Sequence, residues 1–262
     1  MPEGHTIHRI ARDHAKRYVG ENLSVSSPQG RFATGARQLD GRQLTSIEAH
    51  GKHLFYWWEE GLIVHVHLGL YGKFRNHASP PPAPRGAVRM RVIGGEHAFD
   101  LNGPAACDLV DARYRDLTVD RLGQDPLRAD ADPELVWQRI HRSRAAIGSL
   151  LLDQSVIAGV GNVFRADVLF ALKIHPNRPG ASLERGEFDD LWSTLVKLLR
   201  IGVKYNRIIT ADADDWGKTP GRLNREERLL IYKKPSCPDC GQPVDQWQLR
   251  NRTIYACGRC QQ

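Results

Sequence analysis

The sequence predicts a mixed α+β fold: a β-rich N-terminal domain with one leading helix, then a helical domain that ends in a small cysteine-bearing module. Three observations lead to this prediction. Strand-like alternation dominates residues 44–91, helical spacing dominates residues 135–203, and four of the five cysteines follow residue 236. A chain of 262 residues is long enough for two domains with separate cores.

The N-terminal domain is predicted to contain one helix followed by strands. Apolar residues recur at helical spacing over residues 7–18, and residues 20–41 are rich in turn formers. Residues 52–58 and 62–68 flank Glu-Glu-Gly, which predicts a hairpin. Alternation over residues 88–92 predicts a half-exposed strand, whereas the four prolines of segment 79–85 require a loop.

The C-terminal half is predicted to be helical. The polar, proline-punctuated segment 124–133 is typical of a linker. Helices are predicted at 135–141, 145–154, 162–172 and 188–203. We therefore predict domains at residues 1–124, 133–232 and 233–262.

Charge and hydropathy limit the class of partner. The net charge is +7 and the pI about 9.3, which favours polyanions such as nucleic acid. The apolar segment 145–164 contains Asp153, Gln154 and three glycines, so it is a poor membrane span. The N-terminus shows no secretory pattern. We expect a cytoplasmic protein.

The cysteines predict a zinc site. They form two C-x-x-C pairs, Cys237 with Cys240 and Cys257 with Cys260. Two such pairs can supply four thiolates to one tetrahedral Zn²⁺ across a hairpin, and a closed site of four cysteines is structural. A redox pair or unrelated surface thiols are the alternatives. Arg252 lies on the second half of this hairpin, where it suits phosphate contact or a solvated face.

Glycines precede one predicted helix. Segment 157–162 ends in Gly161 and Asn162, and Asn162 is a good N-cap for the helix that follows. Backbone N–H groups at such a helix start can approach a phosphate. Ordinary packing of two helices across a turn explains the glycines equally well.

The chain start offers a nucleophile. Removal of Met1 would expose the secondary amine of Pro2, which is more nucleophilic at neutral pH than a lysine because an α-amino group titrates near pH 8. Attack on a sugar C1′ would give an iminium ion and allow strand cleavage by elimination. Glu3 would lie near the start of the first helix, where it could protonate a ring oxygen or shuttle a proton.

The MPEG start, Gly51-Lys52-His53, the GVGN turn and the four terminal cysteines together closely resemble the formamidopyrimidine-DNA glycosylase/endonuclease VIII family. The resemblance runs from residue 2 to residue 261. It implies a β-sandwich, a helix–two-turn–helix domain and a zinc finger. It also implies a monomeric glycosylase/AP lyase that excises oxidised bases from damaged DNA and cleaves the strand by β,δ-elimination.

The resemblance also assigns roles to individual residues. Pro2 would be the Schiff-base nucleophile and Glu3 its acid/base partner. Lys52, expected in a strand, would contact a phosphate near the lesion. Asn162, with Gly161 beside it in the turn, and Arg252 in the finger would hold the DNA backbone.

The Pro-Glu-Gly start looks more like the endonuclease VIII branch, which prefers oxidised pyrimidines. Leu70 and Tyr71 resemble that branch's wedge, which fills the gap left by a flipped base. Ordinary loop packing is the alternative reading of this pair.

Two departures from the family pattern leave alternatives open. Thr6 stands where many relatives have a glutamate, a role that His5 could take over. Residues 101–105 occupy the neighbourhood of an Arg-Phe-Gly loop that contacts the orphaned base in the other branch. We therefore expect weaker reading of the opposite base, and activity on single-stranded or bubble DNA. A non-catalytic damaged-DNA-binding protein of the same fold is the main rival, and a proline tautomerase acting on small ketoacids is a second.

Overall fold

The structure is a computed structural model that describes residues 2–262. Contacts divide these residues into two compact units. The first contains Pro2 and Ile7–Arg121, and the second contains Glu3–Thr6 and Leu122–Gln262. None of the helices within residues 2–262 combines the length and the apolar character needed to cross a bilayer.

The first unit is built on two four-stranded antiparallel sheets. One sheet has the order β1-β6-β7-β5 and the other β2-β3-β4-β8. The strands are β1 (Ser24–Ser26), β2 (Leu44–His50), β3 (His53–Trp58), β4 (Ile63–His67), β5 (Lys73–Ala78), β6 (Val88–Ile93), β7 (His97–Asn102) and β8 (Ala106–Val110). Helices of this unit are α1 (Gly4–Tyr18, whose first turn groups with the second unit), α2 (Ala33–Leu39) and α3 (Ala112–Asp120).

The core of the first unit lies between the inner faces of the two sheets. Tyr56 and Val64 from one sheet and Met90 and Phe99 from the other are at most 1% exposed, and Ile7 of α1 joins them. Alternating apolar residues on facing strands bury one surface of each sheet. The predicted sandwich with its leading helix is confirmed.

Two features of the first unit differ from the sequence prediction. Helices α2 and α3 were not predicted. Helix α2 has only seven residues, and α3 buries no residue and carries no apolar stripe. Strand β6 is mostly buried rather than half-exposed. Its Arg91 donates two hydrogen bonds to the carboxylate of Asp100 at 2.6 and 2.8 Å, and this bidentate pair allows both charges to leave water.

The second unit combines four helices with one hairpin. They are α4 (Pro133–His141), α5 (Ile147–Leu150), α6 (Asn162–Ala171), α7 (Arg185–Tyr205), β9 (Asp245–Leu249) and β10 (Arg252–Ala256). Phe164, Leu191 and Leu195 lie in the helical core. Phe170 of α6 packs with Ile254 of the hairpin, so the finger shares a core with α6.

Two predictions for the second unit were wrong. The helix expected at 145–154 shortens to one turn, because Asp153 accepts hydrogen bonds from the backbone and hydroxyl of Ser155 and forms a local turn. Segment 124–133 is no exposed linker: Asp125 is 1% exposed and Gln124 forms a bridge with Ile157. It begins the second unit instead.

Candidate functional site

The carboxylate of Glu3 caps the start of α6. Gly161 donates its N–H to Oε2 at 2.9 Å, and Val163 donates to Oε1 at 3.0 Å. Glu3 is fully buried. Backbone donors and the positive end of the helix dipole together stabilise a negative charge at this position. Glu3 is therefore held as an oriented anion.

Glycines make this contact possible. A Cβ at Gly161 would lie 2.3 Å from Cδ of Glu3. Next to Glu3, Gly4 donates its N–H to the carbonyl oxygen of Gly159 at 2.8 Å. A Cβ at Gly4 would lie 2.9 Å from Cα of Gly159. Gly159 has φ 90°, a conformation that favours glycine. The Gly-Val-Gly segment thus fits closely against the residues that follow Pro2.

The prediction that Asn162 is the N-cap is wrong. The N-cap is Gly161 and α6 begins at Asn162, because the side chain of Glu3 supplies the acceptor that the cap glycine lacks. In this structure the Gly161 N–H is therefore bonded to a carboxylate and not left for a phosphate. A role for Gly161 in DNA binding stays a prediction.

Asn162 connects α6 to the hairpin. Its Nδ2 donates to the carbonyl oxygen of Thr253 in β10 at 2.8 Å. Its Oδ1 accepts from the guanidinium of Arg165. Thr253 directly follows Arg252, which is exposed at the start of β10. Asn162 and Arg252, both predicted to contact DNA, are thus linked through Thr253.

Arg165 is a buried cation that the sequence reasoning missed. Besides Asn162, its guanidinium donates to the carbonyl oxygens of Gly148 and Leu249 at 3.2 and 3.3 Å. Burial lowers the pKa of Arg165 to about 10, and the charge of Glu3 opposes this shift. An arginine within a mostly apolar helix was the available signal, because such a charge needs partners inside the fold.

Asp167, also on α6, holds the backbone of residues 230–232, the segment that precedes the cysteine-bearing finger. Its carboxylate accepts hydrogen bonds from the Thr210 hydroxyl and from the backbone N–H groups of Leu230, Ile231 and Tyr232. Burial raises the pKa of this carboxyl, and these hydrogen bonds oppose the rise.

The four predicted metal ligands lie together. Their Sγ atoms all lie within 4.8 Å of one another, with 3.9 Å between Cys237 and Cys260 and 3.6 Å between Cys240 and Cys257. Metal–sulfur bonds of about 2.3 Å in a tetrahedron give sulfur–sulfur distances of about 3.8 Å. The cluster fits one tetrahedral ion. Among the described residues it is the one group with metal-ligand spacing.

The hairpin between the cysteine pairs turns toward the helices of the same unit. Arg250 and Asn251 have φ of 55° and 57°, as a tight two-residue hairpin turn requires. The Arg250 guanidinium donates to Asp153 at 2.6 Å. Both arginines of the hairpin, Arg250 and Arg252, are exposed, but this ion pair occupies the guanidinium of Arg250.

Lys52 lies in a turn and not in a strand as predicted. It is half-buried in the two-residue connection between β2 and β3, where Gly51 has φ 56°. Since His53 pairs with His67, this turn lies at the same edge of the sheet as the end of β4.

The segment that follows β4 exposes two large side chains. Leu70 is 49% and Tyr71 82% exposed. The turn is closed by Gly72, whose N–H donates to the Leu68 carbonyl oxygen at 2.9 Å. Gly69 lies against the turn between β7 and β8, since its Cβ would be 2.7 Å from that of Ala105. Leu70 and Tyr71 are thus presented to solvent.

Residues 101–105, expected in place of the loop that contacts the orphaned base, contain only a short connection. Leu101 and Asn102 belong to strand β7, and only residues 103–105 connect it to β8. Leu101 is fully buried in the sandwich core.

Imidazoles stack beside Lys52. His53 Nδ1 and His65 Nε2 are 2.9 Å apart, and the two ring centroids are 5.1 Å apart. Burial lowers the pKa of His53 to about 3 and that of His65 to about 4. Both rings are therefore neutral at physiological pH.

Pro2 is half-buried, lies outside α1 and is bonded directly to Glu3. Met1 lies outside the described residues, and its predicted removal stays a prediction.

Family models match most of the chain. The formamidopyrimidine-DNA glycosylase N-terminal domain matches residues 1–113, and the formamidopyrimidine-DNA glycosylase H2TH domain matches residues 122–214.

Curated relatives and solved structures agree with these matches. The chain is 46% identical to "Endonuclease 8 1" of Mycobacterium tuberculosis (strain ATCC 25618 / H37Rv), with 100% of both chains covered. It is 28% identical to the formamidopyrimidine-DNA glycosylase of Thermomicrobium roseum, covering 86% of this chain and 84% of that one. Lactococcus lactis Fpg (MutM) in complex with an N7-benzyl-Fapy-dG containing DNA has the same fold, with a TM-score of 0.82 at 21% identity and 100% of both chains covered.

Proposed function

The chain belongs to the formamidopyrimidine-DNA glycosylase family, and on this premise we propose that it excises oxidised bases, preferentially pyrimidines, through a Schiff base on Pro2. The protein is a bifunctional DNA glycosylase and abasic-site lyase of base excision repair. Full-length identity of 46% to an endonuclease 8 is the observation that carries the pyrimidine preference. The family match disfavours the tautomerase alternative.

The proposed chemistry begins at the Pro2 amine. It attacks C1′ of the damaged nucleotide, and the base leaves with the electron pair of the glycosidic bond. The amine loses its proton, and the C1′–O4′ bond then breaks with its electron pair going to O4′, which is protonated. The iminium ion formed at C1′ acidifies the C2′ proton. Loss of that proton expels the 3′ phosphate, and a second elimination expels the 5′ phosphate.

The held anion of Glu3 supports a role as acid/base partner. The carboxylate lies one residue from Pro2, and both of its oxygens accept backbone N–H groups. Such an anion favours the cationic iminium and can accept a proton during elimination.

The remaining predicted residues would hold and deform the DNA. Lys52, Asn162 and Arg252 would contact phosphates, and Gly161 would let the backbone approach. The exposure of Leu70 and Tyr71 supports a wedge that enters the gap left by the flipped base. For the functional domains we propose the limits 1–124 for the catalytic sandwich, 133–232 for the DNA-binding helices and 233–262 for the finger, with residues 125–132 grouped with the second of these.

The substrate proposal covers damaged duplex DNA and also single-stranded or bubble DNA, bound by a monomer at the nucleoid. The short 103–105 connection supports weak discrimination of the opposite base, because few side chains there can contact it. We expect one lesion to be excised at similar rates when it lies opposite each of the four bases and when it is unpaired. Strong dependence on the opposite base would contradict this proposal.

We further propose that the cysteine cluster holds one structural Zn²⁺. Four thiolates at tetrahedral spacing leave no coordination position for substrate, so the ion would fix the hairpin that carries Arg252. Metal analysis of purified protein should find one zinc per chain, and a Cys240→Ser variant should lose it. Retention of full zinc by that variant would contradict the assignment.

Borohydride trapping tests the central chemistry. Wild-type protein should form a covalent adduct with abasic DNA. Pro2→Gly, which exchanges the secondary amine for a primary one whose imine can lose its charge, should slow strand scission. Mass spectrometry should find Met1 removed in active protein. A Pro28→Gly variant, which alters a proline outside the helices and strands, is the control. Binding of damaged DNA without any adduct would instead identify a non-catalytic damage-binding protein.

A further inference from the structure

Thr6 carries a hydroxyl with a single hydrogen-bond partner among the described residues. That partner is the imidazole of His5, with 3.2 Å between Thr6 Oγ1 and His5 Nε2. Two other threonines use the hydroxyl proton in a hydrogen bond to the backbone, whereas Thr34 and Thr253 only accept at Oγ1. The hydroxyl of Thr118 donates to the Tyr114 carbonyl oxygen at 2.8 Å, and that of Thr45 donates to the Trp57 carbonyl oxygen at 3.0 Å.

His5 is too buried to carry a proton itself. It is 3% exposed, its ring meets Phe164 edge-on at 5.4 Å, and a Cβ at Gly202 would lie 2.9 Å from it. Burial lowers the pKa of His5 to about 3, so the ring is neutral at physiological pH. The hypothesis that His5 acts as the missing acid/base group is therefore not supported.

The burial of His5 fixes the direction of its hydrogen bond. Nδ1 is buried and has no partner within the described chain. A buried donor without a partner is rarer in proteins than an under-used acceptor, so the ring proton belongs on Nε2. Nε2–H then donates to Thr6 Oγ1. The hydroxyl proton of Thr6 is left free to donate to another group.

Thr6 is also the polar side chain nearest in sequence to Pro2 that reaches solvent. From Glu3 to Ile7 every other residue is buried, whereas Pro2 and Thr6 are half-buried. The Thr6 N–H donates to the carbonyl oxygen of Glu3 at 2.9 Å, which closes the first turn of α1. The carboxylate of Glu3 is fully buried and both of its oxygens accept backbone N–H groups, whereas the Thr6 hydroxyl reaches solvent.

We propose that Thr6 is a catalytic residue, that its hydroxyl donates a hydrogen bond to the deoxyribose ring oxygen O4′, and that His5 is the positioning residue that orients it. This inference rests on the proposed Pro2 chemistry. When the Pro2 nitrogen bonds to C1′, the C1′–base and C1′–O4′ bonds break, and their electron pairs go to the base and to O4′. The released base and O4′ take up one proton from the amine and one from water, which leaves hydroxide to balance the charge of the iminium ion. Thr6 stabilises the charge that develops on O4′ and is not consumed.

Thr6→Val tests the proposal, because it keeps the shape and removes the hydroxyl. Single-turnover base excision should be measured on duplex DNA carrying thymine glycol. We expect a rate about 100-fold lower than wild type, the effect of losing one donor to developing negative charge. Thr6→Ser should stay within about threefold because it keeps the hydroxyl. Thr118→Val is the control for loss of a threonine hydroxyl elsewhere.

Two further readouts separate this role from binding or folding. Borohydride trapping on ready-made abasic DNA should change little in Thr6→Val, since an abasic sugar opens in water unaided. DNA affinity and melting temperature should match wild type. Base excision at the wild-type rate, or a rate loss accounted for by weaker DNA binding, would overturn the proposal. Failure of the wild type to trap would overturn the Pro2 chemistry instead.

A double-mutant cycle tests His5. His5→Phe should slow excision, and His5→Gln, which keeps an N–H donor on the side chain, should restore part of the rate. In the His5→Phe background, Thr6→Val should lower the excision rate by a smaller factor than it does in the wild type, because the two residues act through one hydrogen bond. Additive effects would overturn the positioning role of His5.

Discussion

The start of α6 and the turn that carries Leu70 and Tyr71 differ in how many of their side chains already form contacts within the protein in the absence of DNA. At the start of α6, Glu3 accepts two backbone N–H groups, and Asn162 and Arg165 connect the helix to the hairpin. The turn instead leaves Tyr71 82% exposed.

The difference follows from what each region is proposed to do. A group that stabilises charge in a transition state gains most when it is already oriented in a water-excluded position. A wedge must be free to enter DNA, and its apolar surface is buried only in the complex. Substitutions at the start of α6 should therefore change catalysis or stability strongly, and those in the turn should act only when DNA is present.

Glu3→Gln should have the largest effect. The amide has no charge, and its NH2 group would face a backbone N–H donor, so one hydrogen bond is lost as well. We expect base excision to fall about 1000-fold, within the usual range for a general acid–base group. Single-turnover kinetics measure it. Glu184→Gln is the matched control, since Glu184 also caps a helix, α7, and its loss should leave excision nearly unchanged.

Gly161→Ala should have the next largest effect. Its Cβ would overlap Cδ of Glu3, so the carboxylate must move while keeping its charge. Displacement of a catalytic group by about 1 Å lowers a rate by about 100-fold. Gly186→Ala, where a Cβ meets nothing within 4 Å, is the control and should be active. Full activity of Gly161→Ala would mean that the position of Glu3 does not limit the reaction.

Asp167→Asn tests whether α6 is also the stable centre of its unit. The amide NH2 would face backbone donors where the carboxylate accepts four hydrogen bonds. Leaving such a buried group unsatisfied costs about 1–3 kcal/mol, and urea unfolding would show the loss. Asp130→Asn, on an exposed carboxylate, should change stability by less than about 0.5 kcal/mol. Equal stabilities would contradict the proposed role of Asp167.

The same contrast explains what the sequence could predict. Helix α1, the β3–β4 hairpin and the cysteine cluster depend on periodicity or spacing within short segments, and they were predicted correctly. The cap on α6 was assigned to Asn162 because local rules cannot reveal an acceptor from a residue 158 positions away. Arg165 was missed for the same reason. Leu70 and Tyr71 were singled out by the family resemblance alone, since no periodicity or spacing in their segment predicts their exposure.

Tyr71→Ala should have the smallest effect and sharpens the comparison most. Because the ring is 82% exposed and contacts no core residue, the free energy of unfolding should change by less than about 0.5 kcal/mol. Excision from duplex DNA should still fall about tenfold, since a wedge offsets part of an unstacking energy of a few kcal/mol. Excision from single-stranded DNA should not fall, because no stacked partner strand has to be replaced there. Equal losses on both substrates would show that Tyr71 contacts the damaged nucleotide itself, and the exposed turn would then belong with the start of α6 as part of the catalytic machinery.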